Sequence, residues 1–587
     1  LRSIMPVRLG TVPTSLKVAA GLSWAASNGA RVASLSLSTV NTTTTSMVFD
    51  NAWTNGLVIC AATGNGGANT TSPPVSFPAS HLRVIAVGAS DQADQRKRPA
   101  SADGECWGSQ YGPEIDVVAP GVRCWTTDEQ GAAGYNSSGG GPMGGPCVTF
   151  PSSGDGAGDY MAVFNGTSAA TPHVAGLAGL LFSAYPALTN QQVRDIIERT
   201  CDKISPGLYA YAHTAGQPNG TWHPEVGYGR INCDRALHYA DVMISDHAAD
   251  TGAVPSTTLV GSVWTPAPFW EYQPYVTAAS SPAALPPGDP AEIGQDNFVH
   301  ALVRNNGPAA AQNISVTWHL LDYPGTELIY PADWNAANQI AAATIASLAA
   351  GADVVVQALW PQASVDTGSG FVHPCMTVRA TFSGDVGGDL GPHVFEYNNI
   401  AQHNISYVNN YLSAGAPRHV FSMPFAAGSK HGRSRRAELR FDTTRLNGAR
   451  AFLDVAPSPA NPLVGRMLRD NAAAGARDGG AGCLGGIVAA LLRTLGFGRA
   501  GARAGGLRGD QVEVTNGSWT RLDEQNVIAL DGLSPAVEVP LQPGRVLPLA
   551  VVIVPPATAR AGDVFKVHVT QLSNGVPTGG VSLQVTA

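Results

Sequence analysis

The sequence predicts an α/β unit over residues 1–240, with a parallel sheet flanked by helices, followed by two β-sandwich domains. Three observations predict it. Apolar runs at 56–62 and 84–89 alternate with helix-patterned segments, as in a parallel sheet covered on both faces. Beyond residue 240 the texture becomes strict alternation: Ile314, Val316, Trp318 and Leu320 against Ser315, Thr317 and His319. Between the two textures, residues 241–260 are polar and Pro-containing and read as a linker. A chain of 587 residues also exceeds what one core usually holds.

The elements follow in order. Residues 4–9 (Ile4-Met5-Pro6-Val7-Arg8-Leu9) read as an opening strand, and 15–28 as an amphipathic helix. Residues 31–38 are a second strand, ending in Ser36-Leu37-Ser38, and 46–55 the next helix. The apolar run from 56 ends in Thr63-Gly64-Asn65. An Asn there lies at the carboxyl end of a parallel strand, where ligands bind in such sheets. Strands are expected at 84–89 and 115–121. Residues 169–185 are small and apolar, as in a buried helix, and Gly166-Thr167-Ser168 opens it. Gly166 permits a tight turn. A hydroxyl at a helix start sits among unpartnered N–H groups, at the positive end of the dipole. Pro172 is expected in the first turn, where its missing donor costs little. His173, five positions after Ser168, points elsewhere on the helix. Residues 131–158 are Gly-, Ser- and Pro-rich and read as a surface loop.

The two sandwiches are placed at 261–410 and 417–587, the latter with a Gly-, Ala- and Arg-rich insertion at about 469–509. Phe565, Val567 and Val569 alternate with Lys566 and His568. The basic cluster Arg433-Ser434-Arg435-Arg436 reads as a strand edge protected by charge.

Composition narrows the function. Net charge is −8, which leaves no basic footprint for nucleic acid. No apolar run reaches the roughly 18 residues of a membrane span. The eight cysteines show no C-x-x-C spacing, so no zinc site is indicated. Cys60 sits in an apolar strand as a small hydrophobe. Cys106, Cys124 and Cys147, and the pair Cys201 and Cys233 around a long loop, would suit disulfides of an oxidising compartment. N-x-S/T triplets occur at Asn41, Asn69, Asn136, Asn219, Asn313, Asn404 and Asn516.

Residues 164–177 read Phe-Asn-Gly-Thr-Ser-Ala-Ala-Thr-Pro-His-Val-Ala-Gly-Leu. This stretch resembles the nucleophile motif of the subtilisin-like serine proteases, G-T-S-x-A-x-P-H-V-A-G. The runs 56–67, 84–89, 115–121 (Ile-Asp-Val-Val-Ala-Pro-Gly) and 227–232 (Gly-Tyr-Gly-Arg-Ile-Asn) resemble further landmarks of that family, in its order. The resemblance implies Ser168 as nucleophile and Asn65 as oxyanion donor. It implies Ser36, Leu37, Ser38, Thr63 and Gly64 as the residues that bind substrate, the first three by strand addition. Ser38 stands where the family usually has Gly. Asp116 and His173 are structural by the same comparison. Protein or peptide substrates and an extracellular location are implied, with no cofactor identified and structural calcium left open. The family's D-[ST]-G and H-G-T-x-x-A-G motifs, which carry its acid and base, do not occur before Ser168. The later triplets at Asp250 and Asp366, and the pair His431-Gly432, lack the family's context. The expectation is that the first third of the catalytic domain is absent and that the chain as given is inactive. The alternative is a non-catalytic protease fold kept for binding or adhesion. Val303-Arg304-Asn305-Asn306-Gly307 resembles a segment of cell-adhesion-like, immunoglobulin-like modules, which implies β-domains that bind surfaces or polymers.

Overall fold

The computed structural model describes residues 4–10, 12–131 and 158–244, and beyond them 275–277, 296–321, 329–361, 375–384, 399–404, 421–428, 431, 433–455, 457, 513–515, 527–530, 535–556, 558–560 and 563–586. The chain divides into two units, Leu1–Ala240 with Gly307–Ala310, and Asp241–Asn306 with Ala311–Ala587.

In the first unit β1 (Val32–Leu35), β2 (Val58–Ala62), β3 (Ile85–Ser90) and β4 (Val117–Pro120) form a parallel sheet in that order. Every residue of β2 and β3 is buried, which is why both read as unbroken apolar runs. α1 (Ser15–Ser27) precedes β1, and α2 (Thr43–Thr54) joins β1 to β2. A Thr42–Thr45 capping box starts α2. Val18, Leu22, Phe49 and Ala52 of these helices share a core with Ile59, Ala61 and Ala86. β5 (Cys124–Thr127) pairs antiparallel with β6 (Tyr160–Phe164), which leads into α3 (Thr167–Ala184). α4 (Asn190–Arg199) and α5 (Cys233–Leu237) follow.

A buried charged group ties α4 to the sheet. Arg194 donates from Nη2 to Asp116 Oδ1 at 2.8 Å, from Nε to Glu198 Oε1 at 2.6 Å and from Nη1 to Leu82 O at 2.7 Å. Asp116 Oδ2 accepts from Ala86 N at 2.7 Å, and Asn219 Nδ2 donates to Glu198 Oε2 at 2.7 Å. Burial raises both carboxyls and Arg194 opposes it; Glu198 is pushed up to about 7.

Every strand pair among the described residues of the second unit is antiparallel. β7 (Val242–Ile244), β8 (Tyr275–Thr277), β9 (Asn297–Asn305), β10 (Ala311–Leu321), β11 (Gln339–Leu348), β12 (Asp353–Trp360), β13 (Cys375–Thr381) and β14 (Ile400–Asn404) make two sheets. One runs β12-β9-β7, with β8 also on β9, and the other β11-β10-β13-β14. Ile314, Val316 and Trp318 are fully buried, as the alternation predicts, while Leu320 is half-buried; Val299, Ala301 and Val378 are fully buried as well. β15 (Phe421–Gly428), β16 (Arg436–Asp442), β17 (Arg450–Asp454), β18 (Glu513–Thr515), β19 (Val527–Ala529), β20 (Ala536–Pro540), β21 (Val546–Val554), β22 (Val564–Ser573) and β23 (Val576–Thr586) make two more. Their orders are β15-β21-β17-β19 and β18-β20-β16-β22-β23. Phe425, Leu453 and Val551 from one sheet share a core with Leu439, Phe441, Phe565 and Val567 from the other.

Several expectations change. Residues 4–9 form no strand, and Ile4 is 94 % exposed; among the described residues no neighbouring strand pairs with them, so their backbone has no ladder to join. Pro172 lies well inside α3, because the helix starts two residues earlier than the apolar pattern suggests. The basic cluster guards no edge: β16 is the middle strand of its sheet, and Arg436 pairs with Glu538 of β20 at 2.8 Å. Val242–Ile244, at the start of the stretch read as a linker, pairs with β9, and residues 245–260 lie outside the described residues. So do 132–157 of the Gly-rich loop and 469–509 of the insertion. Cys201 and Cys233 are both free thiols, as is Cys124, whereas Cys106 is disulfide-bonded. Cys60 is fully buried, and burial pushes its thiol up to about 12. No helix among the described residues is long and apolar enough to cross a membrane.

Candidate active site

β2 ends at Ala62, and the chain continues as Thr63-Gly64-Asn65 at the carboxyl end of the sheet. Thr63 is buried; its N–H donates to Val87 O at 3.1 Å, and its Oγ1 has no hydrogen-bond partner. Gly64 has φ +108°, and a Cβ there would stand 2.0 Å from Gln110 Oε1. Only glycine fits. Gly64 N donates to Thr167 Oγ1 at 3.2 Å. Asn65 Oδ1 accepts from both Thr167 N and Thr167 Oγ1, each at 2.9 Å. Those two bonds use both lone pairs of the amide oxygen and fix which way the group points. The Nδ2 donor is thereby turned away from Thr167.

Gly166 precedes α3 with φ 101° and donates from N to Gly121 O at 2.9 Å. A Cβ on it would stand 3.2 Å from Asn65 Nδ2 and 3.5 Å from Ser168 N. Two N–H donors thus flank the bare side of Gly166. Paired donors of this kind stabilise the oxyanion of acyl transfer. Ser168 is the second residue of the 18-residue α3 and is half-buried, so its hydroxyl sits at the positive end of a long helix.

Pro172 lacks an N–H, so the Ser168 carbonyl four residues before it loses its regular helix donor. Ser36 Oγ supplies one instead, at 2.8 Å. The segment after β1 therefore meets the segment that opens α3. Leu37 packs against the core of α1 and α2, while Ser38 is exposed and Thr39 N donates to Phe77 O at 2.9 Å. His173 is exposed, and its Nδ1 lies 2.8 Å from Ala169 O of its own helix. Asp116 is held by Arg194 and Ala86, away from this turn. Ser36, Gly64, Asn65 and Ser168 are therefore linked directly or through Thr167, and Leu37, Ser38 and Thr63 are their chain neighbours. Sequence reasoning missed Thr167 as the residue that orients Asn65. It also missed Gln110, which accepts from Gly66 N at 3.2 Å and donates to Pro74 O at 2.6 Å. Nothing in the local pattern around Gln110 signals that contact. Among the described residues no group of three or more His, Cys, Asp or Glu is placed to hold a metal ion.

Residues 3–229 match the model of the subtilase family. Over these residues the chain is similar to subtilisin-like serine proteases. The chain is 35 % identical over 190 residues to Subtilisin of Bacillus pumilus, covering 32 % of this chain and 56 % of that one. It is 36 % identical over 188 residues to Alkaline elastase YaB of Bacillus sp. (strain YaB), covering 32 % and 39 %. Among solved structures, MycP1 from Mycobacterium smegmatis aligns with 38 % of this chain and 55 % of its own length, at 23 % identity and a TM-score of 0.27. The chain thus spans about half the length of these relatives or less.

Proposed function

We propose that the protease domain is the nucleophile-bearing part of a secreted serine endopeptidase that cleaves protein or peptide substrates through an acyl-enzyme. The observation that carries this is the grip of Thr167 on Asn65 Oδ1 beside Ser168. It occupies the amide oxygen and leaves Asn65 Nδ2 beside Ser168 N on the bare side of Gly166. Ser168 Oγ attacks the scissile carbonyl. As the tetrahedral oxyanion forms, Asn65 Nδ2 and Ser168 N–H donate to it. Collapse expels the amine and leaves an ester on Ser168, which water then hydrolyses. Ser36, Leu37 and Ser38 on one side, and Thr63 and Gly64 on the other, hold the substrate backbone.

The attack needs a base for the Ser168 proton, and His173 is turned onto Ala169 O. The family's acid and base motifs do not occur before Ser168, so on this reading residues 1–587 alone hydrolyse no peptide. The two β-sandwich domains, 261–410 and 417–587, bring the protease to surfaces or polymers.

The experiment is fluorophosphonate labelling of a chain extended through the upstream coding region until in-frame D-[ST]-G and H-G-T segments are included. Labelling maps to Ser168 and disappears in Ser168→Ala. A label on another serine, or none in the extended chain, removes the assignment. Ser168-dependent hydrolysis by residues 1–587 would place the base within them.

A further inference from the structure

We propose that the second unit carries a binding site for a small oxyanion, a carboxylate or sulfate group, centred on Arg379. The proposal is independent of the protease chemistry. It starts from the face of the β11-β10-β13-β14 sheet opposite the core. Trp318, Met376 and Val378 fill the core face and are fully buried. His319 and Thr377 stand opposite each other across β10 and β13, and Arg379 lies two residues further along β13 on the same face. An outer face is ordinarily wet, yet His319 is 6 % exposed and Thr377 0 %.

Part of the cover is the turn at 329–338. Tyr330 lies against the Arg379 guanidinium, 4.4 Å from ring centre to Cζ, and Trp334 meets Tyr330 edge-on at 5.4 Å. The turn is held firmly: Ile329 N donates to Asp333 Oδ2 at 2.7 Å, Asn338 Nδ2 to Asp333 O at 2.6 Å, and Leu320 N to Asn338 O at 2.9 Å. The rings are therefore a preformed wall.

Along this face and its cover, four buried polar atoms have no hydrogen-bond partner: His319 Nδ1, Thr377 Oγ1, Arg379 Nε and Trp334 Nε1. Buried polar groups are rarely left so, and these four lie along one chain of contacts with Arg379 at its centre. Arg379 Nε and Trp334 Nε1 are obligate donors, and Thr377 Oγ1 can donate. Burial and the neighbouring Arg379 push His319 down to about 4, so its ring adds no charge near neutral pH. The acid of the turn, Asp333, is engaged with Ile329 N and with His431 Nε2 at 3.4 Å. A guanidinium stacked on one face by Tyr330 keeps its edge, Nε with one Nη, for the two oxygens of a carboxylate or sulfate. A neutral polyol would need acceptors in equal number, and the certain groups here are donors.

The test uses the whole 587-residue chain at constant ionic strength, with chloride as the reference anion. Sulfate, acetate and glucuronate are titrated by calorimetry, and melting is followed in parallel. Binding by the wild type, weakened by at least about tenfold in Arg379→Gln and in Thr377→Val, supports the site. Arg379→Lys keeps the charge without the fork and falls between. Glucuronate tighter than acetate identifies a carboxylate carried on a sugar; equal affinities identify the anion alone. Equal binding by wild type and both charge-neutral variants, or no anion exceeding chloride, overturns the proposal. Unchanged melting of the variants without ligand separates lost binding from lost folding.

Discussion

Asn65 illustrates how one side chain is oriented by a distant partner. Its oxygen is saturated by Thr167, so its nitrogen has a single orientation. Two substitutions test this in the extended enzyme. Asn65→Ala removes the donor and is expected to lower kcat by ~10²–10³ with little change in KM, a magnitude established on a subtilisin. Thr167→Val keeps the backbone bond to Asn65 and removes both hydroxyl bonds, the one donated to Asn65 Oδ1 and the one accepted from Gly64 N, so a smaller fall of about tenfold is expected. Equal losses in the two variants would show that Thr167 acts on more than Asn65. At this scale the sequence was partly legible. Ser168 and Asn65 lie inside contiguous patterns with a chemical meaning. The partners that orient them lie 102 and 132 residues away in the chain, and no local pattern encodes such pairings.

At the scale of elements, α3 and the segment after β1 are coupled through a missing hydrogen bond. Ser36→Ala leaves the Ser168 carbonyl without its donor and is expected to cost about 1 kcal/mol by denaturant unfolding. Pro172→Ala restores an amide to the helix, so Ser36→Ala should cost less in that background. Additive losses in the double-mutant cycle would refute the coupling. α4 makes a pH prediction. Glu198 holds its proton in the fold up to about 7, against an ordinary value of 4.5. The folded form binds more protons between those values, so this contribution is fully present below about 4.5 and is lost as pH rises through about 7. Glu198→Gln keeps an oxygen for Arg194 and removes the slope. Unfolding at pH 5 and pH 8 should show the wild type losing on the order of 2–3 kcal/mol that the variant does not lose. A parallel pH dependence in both would exclude Glu198 as its source. The strands β2, β3 and β4 were legible because burial on both faces leaves an unbroken apolar run. Residues 4–9 were misread because a short apolar pattern cannot reveal whether a neighbour pairs with it.

For the whole molecule, the change from apolar runs to alternation marked the change from parallel to antiparallel sheet, as burial on one face demands. Strand order was not legible: β15 pairs with β21 and β16 with both β20 and β22, contacts that alternation alone cannot choose among. Alternation placed His319 on the face opposite Ile314, Val316 and Trp318, yet it is buried as they are, which the pattern does not signal. The two units are built differently, a parallel sheet with helices and a buried Arg194–Asp116–Glu198 network against antiparallel sheets. Two thermal transitions are therefore expected for residues 1–587, and Glu198→Gln should move only one of them. A single cooperative transition shifted as a whole by that variant would show the units to be energetically one.

Asn219 carries a consequence for producing the protein. It is the first residue of an Asn-Gly-Thr triplet, yet only 7 % exposed, with its amide nitrogen donating to Glu198 and Asp195 and its oxygen accepting from Arg199 Nε. An oligosaccharide attached there during translocation would occupy the space those bonds require, and the first unit could not close around it. Production in a host with an N-glycosylating secretory pathway should yield retained, misfolded chains. Thr221→Val abolishes the acceptor triplet while leaving the Thr221 carbonyl, which accepts from Lys203, in place. Secretion restored by that change, with no gain in a bacterial cytoplasm, is the expected result; equal secretion with and without it would mean that folding outruns the transferase.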